Sequence, residues 1–582
     1  MANNRFDAVI VGSGFGGSVM AHRLSEAGLS VCVLERGKPY SPGSFARSPR
    51  ALGKNWWDPS AGLYGMFQFW SFAGTEAMVS SGLGGGSLIY ANVLIRKDAN
   101  WFREEELNGT YRNWPVTRRE LDPHYDRVEK MMNAQKYPLE QSPYCNTSKT
   151  LAFRDAALKL KEQGERLDWY LPHLAVTFAN RDPAGNLGKA VPGEYIVGEP
   201  ENLHRSQRST CRLCGECDAG CNYGSKNTLD FNYLSAAWRN KADIRTLCEV
   251  KKFSPNSNGR GYSIEYVRHD PEHFDGKKRE TRDMQRETIT ADRLILSAGT
   301  LGSTFLLLKN RDALPNISAR LGDRFCTNGD LLSFASRAID QSGQVRDIDP
   351  SRGPVITSTI RVGDKLDGKG DTGRGFYLQD AGYPEFFNWV IETANGPGII
   401  KRALQFGFRL LKRWLSGNPN SELTSQIIDL IGPCENSSGS MPLLGMGRDI
   451  PDGKMTIRTV KDGRQFLEVD WKNKRSGPYF DGVTELSRKI AETLGATFVQ
   501  NPDTQFLRRL VTVHALGGCS MGHDPTDGVV DNKGRVFNYP GLYVADGSVM
   551  PGPVGANPSL TIAALSDLFA DQIIKDFKAQ PR

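Results

Sequence analysis

No stretch of the 582-residue chain approaches the roughly 18 consecutive apolar residues of a spanning helix, which excludes a helical membrane protein. Charge of either sign is in small excess: 73 Lys and Arg against 66 Asp and Glu leave +7, spread without a dominant basic block. That surplus is too mild to argue for nucleic acid. The start offers no secretory leader, because Met1-Ala2-Asn3-Asn4-Arg5-Phe6 runs at once into an apolar strand and a glycine turn. Export is therefore not expected, the cytoplasm is the expected location, and the ten cysteines read as thiols or metal ligands. With 39% hydrophobic and 24% charged residues the chain is not disordered. Its length excludes a small disulfide or zinc scaffold and suits two to four domains of roughly 150 residues each. What it has in excess is glycine, 61 residues, about 10% against an average of about 7%.

The glycines are placed for a purpose. Phe6-Asp7-Ala8-Val9-Ile10-Val11 reads as a buried strand, Gly12-Ser13-Gly14-Phe15-Gly16-Gly17 opens a helix running through Met20, Ala21 and Leu24, and Leu29 to Leu34 forms a second strand ending at Glu35. This is a βαβ dinucleotide fingerprint in its required context. Gly12 permits the turn, Gly14 admits a pyrophosphate to the backbone, Gly17 lets helix and strand pack closely, and Glu35 accepts ribose hydroxyls. Further along, Ser80 to Ser87 supplies a second glycine loop around Gly82, Gly84, Gly85 and Gly86. Ile295-Leu296-Ser297-Ala298-Gly299-Thr300 and Leu542-Tyr543-Val544-Ala545-Asp546-Gly547-Ser548 are strands running into turns. Glycine loops so far apart suit one long cofactor gripped from several sides, which favours FAD over NAD.

These stretches, together with His514-Ala515-Leu516-Gly517-Gly518-Cys519 and Gly541 to Leu565, resemble the glucose-methanol-choline (GMC) family of FAD-dependent alcohol oxidoreductases, and within it the cholesterol oxidase-like branch. The resemblance implies an α/β chain with a discontinuous Rossmann-type FAD-binding domain and an inserted β-sheet substrate domain. We expect the FAD domain at 1–48, 76–125, 205–325 and 505–582, the substrate domain at 326–504, and connecting or lid segments at 49–75 and 126–204. It implies FAD contacts at Gly12, Gly14, Phe15, Gly17, Glu35, Gly82, Gly84, Gly85, Gly86, Ser87, Val250, Ala298, Gly299, Asp546 and Gly547. By position in the motif, His514 and Asn557, 43 residues apart, match the family's catalytic histidine and the asparagine that follows it. The chemistry asks for such a pair: hydride moves to flavin N5 while an imidazole takes the hydroxyl proton and an amide holds the oxygen. The carboxylate suspected as base in cholesterol oxidases has two candidates here, Glu435 and Asp449.

Cys211, Cys214, Cys217 and Cys221 are spaced C-x2-C-x2-C-x3-C, as in iron–sulfur ferredoxins, with Asn222 in place of the usual proline. Ten cysteines scattered over 582 residues would put about 0.2 in such an 11-residue window. The expected occupant is a 3Fe–4S or 4Fe–4S cluster, with zinc or unligated thiols as alternatives. A cluster beside FAD would let electrons leave singly to an external acceptor, a cytochrome or quinone, as in cluster-bearing dehydrogenases of the family; oxygen is the acceptor if the chain is an oxidase. Finally, Ile399 to Leu415 gathers Lys401, Arg402, Arg409, Lys412 and Arg413 on one helical face opposite large apolar residues. It reads as a helix over the substrate domain, as an interfacial helix docking on anionic lipid at the inner membrane face, or as a calmodulin-like target.

The sequence thus points to FAD-dependent oxidation of a bulky hydrophobic, sterol-like alcohol with electron exit through a cluster. An oxygen-using oxidase is the alternative, as is an electron-transfer flavoprotein without its own alcohol. A zinc-clipped nucleic-acid module lacks the aromatic and basic interleaving it would need.

Overall fold

Residues 6 to 11 are apolar almost throughout, the pattern of a strand covered on both faces. The strand they form, Arg5–Val11, lies in the interior of a seven-stranded sheet. The computed structural model describes residues 4–47, 53–106, 109–257, 259–272, 281–371, 373–384, 435–500 and 510–579. In this sheet Asp243–Arg245, Val31–Leu34, Arg5–Val11 and Arg286–Leu296 run parallel in that order. The long strand Arg286–Leu296 then serves two neighbours. Its first half pairs antiparallel with Tyr262–Arg268, which in turn carries Cys248–Pro255, and its last three residues pair parallel with Leu542–Val544. The helix Phe15–Glu26 packs on Tyr233–Arg239 and on Ser559–Lys578, and Arg118–Met131 packs on the latter. Elements far apart in sequence thus make one layer, a discontinuous Rossmann-type unit.

A second, six-stranded antiparallel sheet follows the order Leu167–Tyr170, Thr359–Val362, Phe376–Asp380, Met441–Gly447, Leu331–Ser336 and Thr497–Gln500. Alternation along its strands decides what each face meets. Phe376, Leu378 and Leu443 join a core with Phe153, Val483 and Ile490 of the helices Ser148–Glu162 and Gly477–Thr493. The intervening Tyr377 and Met446 point the other way and join Ala556, so Gln379, in phase with Tyr377, faces the first unit. The α/β class with an inserted antiparallel sheet is the fold expected from the sequence.

The cationic stretch 399–415 lies outside the described residues, as does the side chain of Glu435, whose backbone starts the short helix Glu435–Ser438. No helix among the described residues is long and apolar enough to cross a membrane.

Candidate active site

The two glycine loops merge into one. Gly12 has φ +97°, and a Cβ there would meet the carbonyl oxygen of Ser297 at 2.3 Å; a Cβ on Gly17 would meet the carbonyl oxygen of Gly12 at 2.1 Å. A Cβ on Gly85 would touch Cα of Gly14 at 2.7 Å, so the loops are in contact. Ser13 ties them together: its hydroxyl donates to Glu35 Oε2 at 2.7 Å and accepts from Gly84 N at 3.0 Å. Glu35 also accepts from Ser13 N and Gly37 N, which fixes it at the end of its strand while leaving lone pairs for hydroxyls. Ser87 donates to the Gly84 carbonyl and accepts from Leu229 N. Phe15 stands edge-on to Tyr90 with ring centroids 5.3 Å apart. Val250 is buried in the strand Cys248–Pro255, beside a break in pairing register. Gly299 has φ +78° and open space where a Cβ would be, next to Ala298. Asp546 accepts from Ser303 Oγ and Ser548 N, burial raising its carboxyl above the ordinary range, and Gly547 follows it against Thr300.

FAD fits this cradle. Gly14 and Gly86 have nothing within 4 Å of a Cβ position. Asn92 is fully buried with φ +69°, yet neither atom of its amide has a partner, and the hydroxyls of Ser81 and Ser559 are also unbonded. Buried polar groups are ordinarily hydrogen-bonded, so this set has the character of a site for a polar ligand. FAD bound there would supply a hydride acceptor.

His514 and Asn557 are anchored to one turn, Thr327-Asn328-Gly329-Asp330. Asp330 Oδ1 lies 2.7 Å from Nδ1 of His514, while its Oδ2 accepts from Thr512 Oγ1 at 2.9 Å, Val513 N at 2.9 Å and His514 N at 3.2 Å. Asn328 accepts from Gly555 N at 2.8 Å and donates to the Ala556 carbonyl at 2.9 Å, which holds the turn carrying Asn557. Gln379, from the second sheet, donates to Asn557 Oδ1 at 2.8 Å. The turn needs left-handed backbone at Asn328 and Gly329, φ +55° and +70°, and a Cβ on Gly329 would meet the Tyr479 hydroxyl at 2.3 Å. Sequence reasoning missed Asn328, Asp330 and Gln379. The dipeptide Asn328-Gly329 was a readable turn signal, but its partners were not.

Asp449, a candidate base from sequence, is enclosed behind this turn. Its Oδ2 accepts from Thr327 N at 2.8 Å and Thr327 Oγ1 at 2.9 Å, and burial pushes its carboxyl up to about 7. It supports the turn, and the carboxylate in contact with His514 is Asp330.

The four clustered cysteines are free thiols and line one small cavity of about 20 Å³ together with Lys226. Burial raises the thiols of Cys211, Cys214 and Cys217, Cys214 to about 12, with the neighbouring sulfurs adding to the effect. Among the described residues no group of three or more His, Cys, Asp or Glu is arranged so that it could hold a metal ion. The metal assignment of Cys211, Cys214, Cys217 and Cys221 is thus not carried by their geometry. Their loop nevertheless packs on the second glycine loop, the helical turn Cys217–Ala219 lying against Gly85–Leu88. Cys32, Cys248, Cys326 and Cys519 are buried in the core.

A split Rossmann-type sheet and a dinucleotide-type cradle, with His514 and Asn557 tied to one turn, are the frame of an oxidoreductase acting on alcohols. The chain belongs to the GMC oxidoreductase family, whose amino-terminal profile matches residues 6–324 and whose carboxy-terminal profile matches residues 450–566. It is 31% identical to a cholesterol oxidase of Mycobacterium tuberculosis, over 97% of this chain and 90% of that protein. Identity to a cholesterol oxidase of Acinetobacter baumannii is 30%, covering 97% and 94%. Among solved structures, pyridoxine 4-oxidase from Mesorbium loti has the same fold, with TM-score 0.52 and 17% identity over 97% of this chain and 98% of that one.

Proposed function

We propose that the protein oxidises a bulky, hydrophobic, sterol-like alcohol, with FAD lying along the merged loops from Gly12 to Gly17 and Gly82 to Ser87. The observation that carries the reading is the single turn holding both His514 and Asn557. His514 takes the hydroxyl proton and the Asn557 amide holds the alcohol oxygen; FAD, when bound, would supply the acceptor for the carbinol hydride, leaving a carbonyl compound. Two relatives named cholesterol oxidase at 30–31% identity support a large apolar substrate. Anaerobic stopped-flow reduction of the bound flavin tests it. A 3-hydroxysterol should bleach the flavin in wild type and do so roughly 100-fold or more slowly in His514→Ala; equal rates in the two remove the assignment.

Electron exit has two readings. A cluster held by Cys211, Cys214, Cys217 and Cys221 is supported by their spacing, their shared cavity and their loop's contact with the second glycine loop. Direct reoxidation by oxygen is supported by the oxidase relatives. Iron and acid-labile sulfide in anaerobically purified protein decide between them. Docking on anionic lipid through 399–415 rests on that segment's sequence alone.

A further inference from the structure

Asp330 is buried, 2% exposed, and makes four contacts with one short stretch of chain, Thr512 to His514. The roles in these contacts are not interchangeable. Oδ2 faces the backbone N–H groups of Val513 and His514, which can only donate, so this position must be an acceptor. Oδ1 faces the ring nitrogen Nδ1 at 2.7 Å, and a carboxylate has no hydrogen to offer it. The hydrogen in that bond belongs to Nδ1, and Nε2 is left with a free lone pair.

We propose that Asp330 is a positioning residue that selects the tautomer of His514, keeping Nε2 as the acceptor for the alcohol proton. The inference rests on the reading of His514 as base. As the substrate O–H bond breaks, its proton goes to Nε2 and the C–H electron pair leaves as hydride for the flavin; the imidazolium that forms stays paired with the Asp330 carboxylate. The carboxylate comes from the second sheet, at the entry to the strand Leu331–Ser336, and the imidazole from the loop after Leu510–Thr512. The bond therefore joins the second sheet to the loop after Leu510–Thr512, a strand that pairs with Thr75–Ser80 in a sheet of its own. The other ionisable groups packed around the turn are Asp449 behind Thr327, Tyr479, whose hydroxyl donates to the Gly329 carbonyl at 2.8 Å, and Arg374, which donates to the Asp449 carbonyl at 3.3 Å.

Asp330→Asn is the test, because it preserves shape. Val513 and His514 N–H hold the amide oxygen in the Oδ2 place, so the NH2 group faces Nδ1 and drives the ring hydrogen to Nε2. Folded protein with full FAD content and unchanged sterol binding should reduce its flavin about 100-fold or more slowly than wild type. Raising the pH should not restore the rate, since deprotonation does not correct a tautomer. Asp330→Asn that reduces flavin at the wild-type rate while His514→Ala is impaired overturns the tautomer assignment alone; an unimpaired His514→Ala overturns the base reading with it. Nitrogen-15 NMR of histidine-labelled wild type, with His514 assigned by difference from His514→Ala, gives the answer even where Asp330→Asn does not fold. Nδ1 protonated is expected, and Nε2 protonated in the neutral ring overturns the proposal.

Discussion

Lys226 donates to the carbonyl oxygen of Cys217 at 2.8 Å and, with the same ammonium group, to that of Leu88 at 3.1 Å. One buried side chain thereby joins the cysteine loop to the second glycine loop. It also lies over the Tyr90 ring, 4.7 Å from its centroid, and Tyr90 in turn meets Phe15 at the head of the first helix. Burial lowers its ammonium to about 8, opposed by Cys217 and Asp218.

Replacing Lys226 by Met removes its bond to the buried Leu88 carbonyl and leaves the Cys217 carbonyl with Gly220 N alone, at 3.2 Å. At about 1–3 kcal/mol for an orphaned group, the folding midpoint in denaturant should fall clearly and FAD should be released earlier in the transition. A midpoint equal to wild type means the two loops are held by other contacts.

Cys214→Ser and Cys217→Ser bear on electron exit. If the loop holds a cluster, both variants lose iron and acid-labile sulfide, keep FAD, and slow reoxidation by one-electron acceptors more than they slow flavin reduction. Stoichiometric zinc without iron in wild type would instead make the loop a structural clip.

The fingerprint glycines should separate by phenotype. Gly14→Ala places its methyl in open space, so the protein folds and its FAD occupancy falls. Gly17→Ala drives a methyl to 2.1 Å from the Gly12 carbonyl oxygen, and the fold itself is destabilised. Melting curves and the flavin-to-protein absorbance ratio distinguish the two; matching losses would show that Gly14 also serves packing.

Acid stability should track Asp567. Burial alone would raise its carboxyl, but the bond from His124 at 2.7 Å and the charges and bonds of Arg23 and Arg127 outweigh burial and hold it at about 2. With a folded value below the unfolded one, its contribution is present above about pH 4 and is lost as the pH falls toward 2, about 2 kcal/mol in all. Because these partners join the helices Phe15–Glu26, Arg118–Met131 and Ser559–Lys578, Asp567→Asn should flatten that part of the stability profile. A variant with the wild-type slope would place the acid sensitivity elsewhere.

What could be read from the sequence was what is local. Strand, Gly12 to Gly17, helix and Glu35 lie within one βαβ unit, and each glycine's role follows from its offset. His514 and Asn557 were found because each sits in a motif of its own. Asp330 and Gln379 had no such mark: their partners lie 184 and 178 residues away, and only the packing of the second sheet on those segments makes them neighbours. Asp449 lies behind the turn, bonded to Thr327, while the carboxylate that contacts His514 is Asp330, a proximity that region in the sequence does not convey. The cysteine run shows the reverse limit, a spacing that suggests ligation joined to thiols whose placement alone does not provide it.

The parallel strand Leu542–Val544 has a consequence for how the protein is made. A nascent chain carries both glycine loops early, but the sheet beneath them lacks a strand until residues 542–544 have left the ribosome and paired with Leu294–Leu296. His514 and Asn557 emerge over the same late interval. The sheet under the glycine loops is therefore complete only once residues 542–544 are in place, and until then Leu294–Leu296 presents an unpaired apolar edge.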